Sequence, residues 1–121
     1  MAAPESLPDF IYKVAETAVS EAAQARGDFP LMPIDENDGY IHFSTAAQLR
    51  ETLRLHFAGR KDLTLLSVRP ATLGAGLRWE PSRGSQLFPH LYGPLSWSAV
   101  VNEARIAVDG DGDASLPIWA T

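Results

Sequence analysis

The spacing of apolar and polar residues divides the chain into short elements joined by turns rich in proline and glycine. FIYKV, residues 10–14, is dense in aromatic and β-branched side chains and predicts a first strand. AETAVSEAAQAR follows, with Gly27 placed to close a helix in the left-handed conformation, so a helix is expected over about residues 15–26. Its apolar positions are mostly alanine, which implies close packing on a sheet. DFPLMPIDENDG holds two prolines and several turn formers and reads as a loop, and YIHF then reads as a short strand. Thr45 with Gln48 three residues later matches a capping box, and Leu49, Leu53 and Phe57 recur at helical spacing before Gly59. DLTLLSVR reads as a buried strand stopped by Pro70, LRWE as another, and SAVVNEARIAV as a longer one. DGDGD is then a tight acidic turn leading to a final short strand near residues 116–119. Strand, helix, strand, helix and then a run of strands predicts an α+β fold with a mixed or two-part sheet.

Composition narrows the class. At 121 residues and 45% hydrophobic, the chain suits one globular domain over residues 1–121, with enough core to need no staples. With no cysteine it has no disulfide, zinc–thiolate or thiol chemistry. MAAPESLPDF lacks the basic and apolar regions of a signal peptide, and no later stretch is long and apolar enough for a membrane span, so a cytoplasmic location is expected and no membrane partner. The net charge of −5 argues against non-specific binding to nucleic acid. Its distribution is uneven: between His42 and His90 there are seven basic residues and three acidic ones, a local +4. Such a segment suits a small anionic ligand, and it equally suits solvated helix and loop charges.

Two stretches concentrate the chemistry, DGYIHFST and RWEPSRGSQLFPHLYGPL. On a strand, Ile41 and Phe43 share one face while Tyr40, His42 and Ser44 share the other. If the apolar pair enters the core, a phenol, an imidazole and a hydroxyl stand together just before a helix N-terminus, whose free N–H groups favour phosphate or carboxylate. Ser44 or Thr45 also serves as the helix cap, a role compatible with ligand contact. In FPHLYGPL, prolines at 89 and 94 make a stiff loop on which His90 and Tyr92 point the same way. Between these stretches, Ser82, Gly84 and Ser85 can expose amides around Arg83, a candidate phosphate cradle. Glu80 is a candidate general base, or the partner of Arg78 or Arg83 in an ion pair. The spacing of His42, Glu80 and His90 demands no metal, and none is expected. GAG at residues 74–76 lacks the third glycine and following helix of a dinucleotide fingerprint.

Through IYKV, DGYIHFST, HFAGRKDLTLL, LGAGLRWEPSRG and FPHLYGPL, the chain resembles the bacterial domain-of-unknown-function 952 family over nearly its whole length. The resemblance implies an ADP-ribosyltransferase-like fold, a split and strongly curved β-core flanked by two helices. Parts of the chain are also similar to RNA 2′-phosphotransferases, whose NAD-binding domain has a His-Phe-Ser block after a first strand and helix. That likeness puts His42 and Ser44 at ligand-contacting positions. Those enzymes carry His-Gly-Thr on the first strand, where this chain has Lys13, Val14 and Ala15. No counterpart of their separate basic N-terminal lobe is expected either, so the likeness does not imply transfer of RNA phosphate.

Two functions follow as expectations. One is an enzyme that binds NAD or an ADP-ribose-like nucleotide and transfers or hydrolyses the ADP-ribosyl group. In it Glu80 stabilises developing positive charge or activates the acceptor, with His42 and His90 as further candidate catalytic residues; His42 and Tyr92 position ribose and nicotinamide, and Tyr40, Ser44, Thr45, Arg83 and His90 complete the contacts. The other is a non-catalytic nucleotide- or small-ligand-binding module on the same fold.

Overall fold

The structure is a computed structural model that describes residues 7–29, 38–82, 84 and 86–120. Its strands and helices are β1 (Ile11–Glu16), α1 (Thr17–Arg26), β2 (Ile41–His42), α2 (Ala46–His56), β3 (Leu63–Val68), β4 (Leu77–Pro81), β5 (Leu87–Leu91) and β6 (Val100–Ile106). The strands form two three-stranded sheets, in the orders β1-β3-β6 and β2-β5-β4, and every pairing is antiparallel. The architecture is thus α+β with a two-part sheet. The mixed sheet that the sequence also allowed is excluded by the antiparallel return of β3 on β1.

One bridge joins the sheets. Tyr12 on β1 and Ser44, just past β2, exchange both backbone hydrogen bonds at 2.8 Å. The chain therefore leaves the second sheet at Phe43 and enters the first before α2 begins.

The first sheet is covered on both sides. Ile11, Ala15, Leu66 and Val68 pack in one core with Ala23 of α1 and with Ile41, Phe43, Trp79 and Leu91 of the second sheet. Tyr12, Val14, Leu63, Leu65 and Ile106 pack in a second core with Leu49 and Leu53 of α2. Two covered faces explain why LTLLSV is buried at every position and shows no alternation. The expected stripe on α2 is present, with Leu49 and Leu53 buried and Phe57 packed at its edge. Thr45 is the N-cap, and its N–H donates to Gln48 Oε1 at 3.0 Å, the returning arm of a capping box.

Three expectations of local structure are corrected. α1 begins at Thr17 rather than near Ala15, because β1 stays paired with β3 as far as Glu16–Leu63 and buries Ala15 completely. Pairing overrides alanine's helical preference, the highest of any residue. Residues 118–120 form a 3-10 turn rather than a strand, with the Trp119 carbonyl accepting from the Tyr12 hydroxyl at 3.0 Å. The third correction bears on function: the first half of FPHLYGPL, read as a stiff loop, belongs to β5 (Leu87–Leu91), the central strand of the second sheet. A proline is tolerated at position 89 because its carbonyl faces Phe43, whose N–H it accepts at 3.1 Å. In a strand the amide and carbonyl of one residue face the same neighbour, so the missing donor falls where β2 departs toward Ser44.

Candidate polar sheet face

The second sheet is two-sided in composition. Register pairs His42 with His90 and Arg78 with His90, so these three residues lie side by side on one face. Strand alternation adds Tyr40, Tyr92 and Glu80 to that face, while Ile41, Phe43, Trp79 and Leu91 turn to the core. Burial of the apolar face obliges the polar set to stand together on the other. The hairpin between β4 and β5, closed by Ser82 N–H donating to the Gln86 carbonyl at 2.9 Å, fixes the register that brings Glu80 to His90.

Glu80 organises the set. Its Oε1 lies 3.0 Å from His90 Nδ1 and accepts from the Tyr92 hydroxyl at 2.7 Å. The bond from Tyr92, with that from His90 next in weight, holds the Glu80 carboxyl below its ordinary range. The same bond raises the Tyr92 phenol to about 12. Burial pushes the His90 imidazole down, although Glu80 opposes it, and only 3% of His90 is exposed. A carboxylate can only accept, so Nδ1 of the neutral ring carries the hydrogen and Nε2 the lone pair.

Rings close around this pair. Tyr40 stacks on His90 with centroids 4.1 Å apart and an interplanar angle of 17°, and it also touches His42 at 4.7 Å and Tyr92 at 5.1 Å. Desolvation of Tyr40 raises its phenol. The His42 ring stands edge-on to His90 at 5.5 Å, and its Nε2 lies 2.9 Å from Asp38 Oδ2. The Arg78 guanidinium lies over the Tyr92 ring at 4.7 Å.

Of the residues singled out in the sequence, Tyr40, His42, Glu80, His90 and Tyr92 are therefore brought together. Ser44 is not: it is buried, and its hydroxyl bonds Thr52 of α2 at 2.9 Å. Its strand parity matches His42, but the chain has already crossed to β1. Thr45 caps α2, and Arg83 and Ser85 lie outside the described residues. The sequence reading passed over Asp38 and Arg78 as site residues. Arg78 was detectable, since it lies two residues before Glu80 on a strand already expected; Asp38 sits among turn formers and gave no periodic signal. The rest of the basic segment disperses. Arg60 pairs with Asp62, Arg54 with Glu51, and Arg69 lies over Phe10. Among the described residues, no group of three His, Cys, Asp or Glu side chains could hold a metal ion, and no helix is long and apolar enough to cross a membrane.

Fold and face together define a small α+β domain with two antiparallel sheets, one of which displays a carboxylate–imidazole–phenol cluster. The chain belongs to the family described as Protein of unknown function (DUF952), which it matches over residues 14–103. It is similar to protein CC0527 from Caulobacter crescentus. Against the crystal structure of that protein the identity is 43% and the TM-score 0.83, covering 88% of this chain and 93% of that one. Against its solution NMR structure the values are 44% and 0.77, covering 87% and 90%. No curated protein matches the chain.

Proposed function

We propose that the polar face of the second sheet binds NAD or a related phosphate-bearing nucleotide with an ADP-ribose-like body, and that the ADP-ribosyl group of that compound is transferred or hydrolysed there. The observation that carries this reading is the Glu80 carboxylate, which takes both His90 and Tyr92 beside the Tyr40 ring. Aromatic faces suit a planar base, and ordered acceptors suit ribose hydroxyls. Two carboxylates, Asp38 and Glu80, stand at the rings, so phosphates are disfavoured on the cluster itself. They are assigned to Arg83, whose guanidinium favours anions, and to the start of α2, where the helix dipole does. The similarity to NAD-binding domains noted above supports the choice of nucleotide.

A second reading, a binding module without chemistry, draws on Lys13. This residue stands where the similar enzymes have the first residue of His-Gly-Thr, and it is buried opposite Leu66. Calorimetric titration with ADP-ribose and NAD tests the binding claim. Wild-type protein should bind, and His42→Ala and Arg83→Ala should each weaken binding by roughly 1–3 kcal/mol. If neither substitution weakens a micromolar ligand threefold, the assignment is wrong. Chromatographic detection of released nicotinamide separates enzyme from module, since a module binds NAD without consuming it.

A further inference from the structure

Glu80 is placed to act through another residue. Its Oε1 already accepts from two donors, which makes that oxygen a poor proton acceptor. His90 is the group these bonds orient. With Nδ1 committed to Glu80, the ring presents Nε2 as its only basic nitrogen, and no hydrogen bond to Nε2 occurs among the described residues. No completely buried side-chain nitrogen or oxygen among the described residues lacks a partner, so Nε2 is not fully enclosed, although only 3% of His90 is exposed. The orienting bond comes from across the hairpin, and Tyr92 holds the carboxylate from the same strand end as His90.

We infer that His90 Nε2 is the proton acceptor of this site, receiving the hydrogen of a ligand hydroxyl or a water, with Glu80 and Tyr92 as positioning residues that act through the His90 ring. The ligand class is a hydroxyl-bearing compound whose planar part rests against Tyr40, and its identity as a nucleotide rests on the reading above. In the transfer the O–H bond breaks, an Nε2–H bond forms, and the electron pair stays on oxygen. The imidazolium so produced is stabilised by the adjacent Glu80 carboxylate, as in other carboxylate–histidine pairs. The charged and titratable groups facing His90 are Glu80 and Arg78 from β4, Asp38, Tyr40 and His42 from the β2 side, and Tyr92 from just past its own strand. Glu80 and Asp38 favour its protonation, and His42 opposes it.

The tautomer can be read without any ligand. In long-range 1H–15N spectra of the full chain above the titration of His90, the ring should be protonated on Nδ1 and bare on Nε2. Glu80→Gln should move the His90 titration to lower pH, a change that loss of a merely structural contact would not produce, and Glu80→Asp should partly restore it. Addition of ADP-ribose should then shift the His90 Nε2 resonance. An Nε2-protonated ring overturns the inference, as does binding of ADP-ribose that leaves Nε2 unmoved. If the ring is Nδ1-protonated, Glu80→Gln moves its titration and ADP-ribose does not bind, the nucleotide reading falls while the oriented acceptor stands.

Discussion

Gln48 joins the start of α2 to the strand that carries His90, and its replacement should separate two roles that coincide in one amide. Its Oε1 accepts from Thr45 N–H at 3.0 Å, and its Nε2 donates to the Leu87 carbonyl at 2.8 Å, with only 8% of the residue exposed. Gln48→Ala removes both bonds. Loss of a capping interaction costs about 0.5–2 kcal/mol and loss of a net hydrogen bond about 0.5–1.5 kcal/mol, so a total near 2 kcal/mol is expected. Gln48→Glu is the sharper perturbation. A glutamate satisfies the capping box and gains roughly 0.3–1 kcal/mol from the helix dipole, so an isolated cap would be unharmed. Here the carboxylate also faces the Leu87 carbonyl with no hydrogen to donate, which costs about 1–3 kcal/mol at a buried position. The net expectation is a loss of about 1–2 kcal/mol, measured by urea unfolding followed by tryptophan fluorescence, with a shifted midpoint and unchanged slope. If Gln48→Glu matches wild type within about 0.5 kcal/mol, the bridge from α2 to β5 contributes nothing and the reasoning fails.

Leu53→Ala, at a position 1% exposed in the core beneath α2, should cost about 2–5 kcal/mol, and a loss below about 1 kcal/mol in urea melts would contradict that core. Gly76→Ala should destabilise by about 1–3 kcal/mol and perturb the Tyr92 amide resonance, because a Cβ at Gly76 would lie 2.8 Å from the Tyr92 carbonyl oxygen; an unperturbed amide would place the two strands farther apart. Acid should weaken the fold in two stages. His90 is held below its ordinary 6.5 in the folded protein, so the unfolded chain binds more protons and stability falls as pH drops below about 6.5. Glu80, held below its ordinary 4.5, adds a further loss below that value. Melts at pH 7.5, 6 and 5 that show constant stability would mean that His90 titrates normally.

Much of this was legible in the sequence, and the reasons differ from element to element. α2 announced itself because capping and a heptad-like stripe are local signals, and both Thr45 and Leu53 do what their spacing implied. β5 was hidden because Pro89 reads as a loop residue unless one knows that β2 departs at Phe43, which is a fact of topology. Strand parity put Tyr40 with His42, and extended geometry put His90 with Tyr92; the pairing of β2 with β5 brings the two pairs together. Parity misled at Ser44, where the chain changes sheets and the hydroxyl turns to Thr52. The role of Glu80 was invisible from spacing alone, because hairpin register, rather than distance along the chain, sets it against His90.

Two-dimensional amide and side-chain NMR spectra of the labelled protein, titrated with ADP-ribose, decide whether the polar face of the second sheet is the ligand site. Saturable shifts concentrated at Tyr40, His42, Arg78, Glu80, His90 and Tyr92 are expected. Shifts gathered instead in the groove lined by Arg50, Arg54, Gly112 and Asp113, or in the one lined by Arg69, Leu73 and Ser98, would contradict it, as would no shift at millimolar ligand.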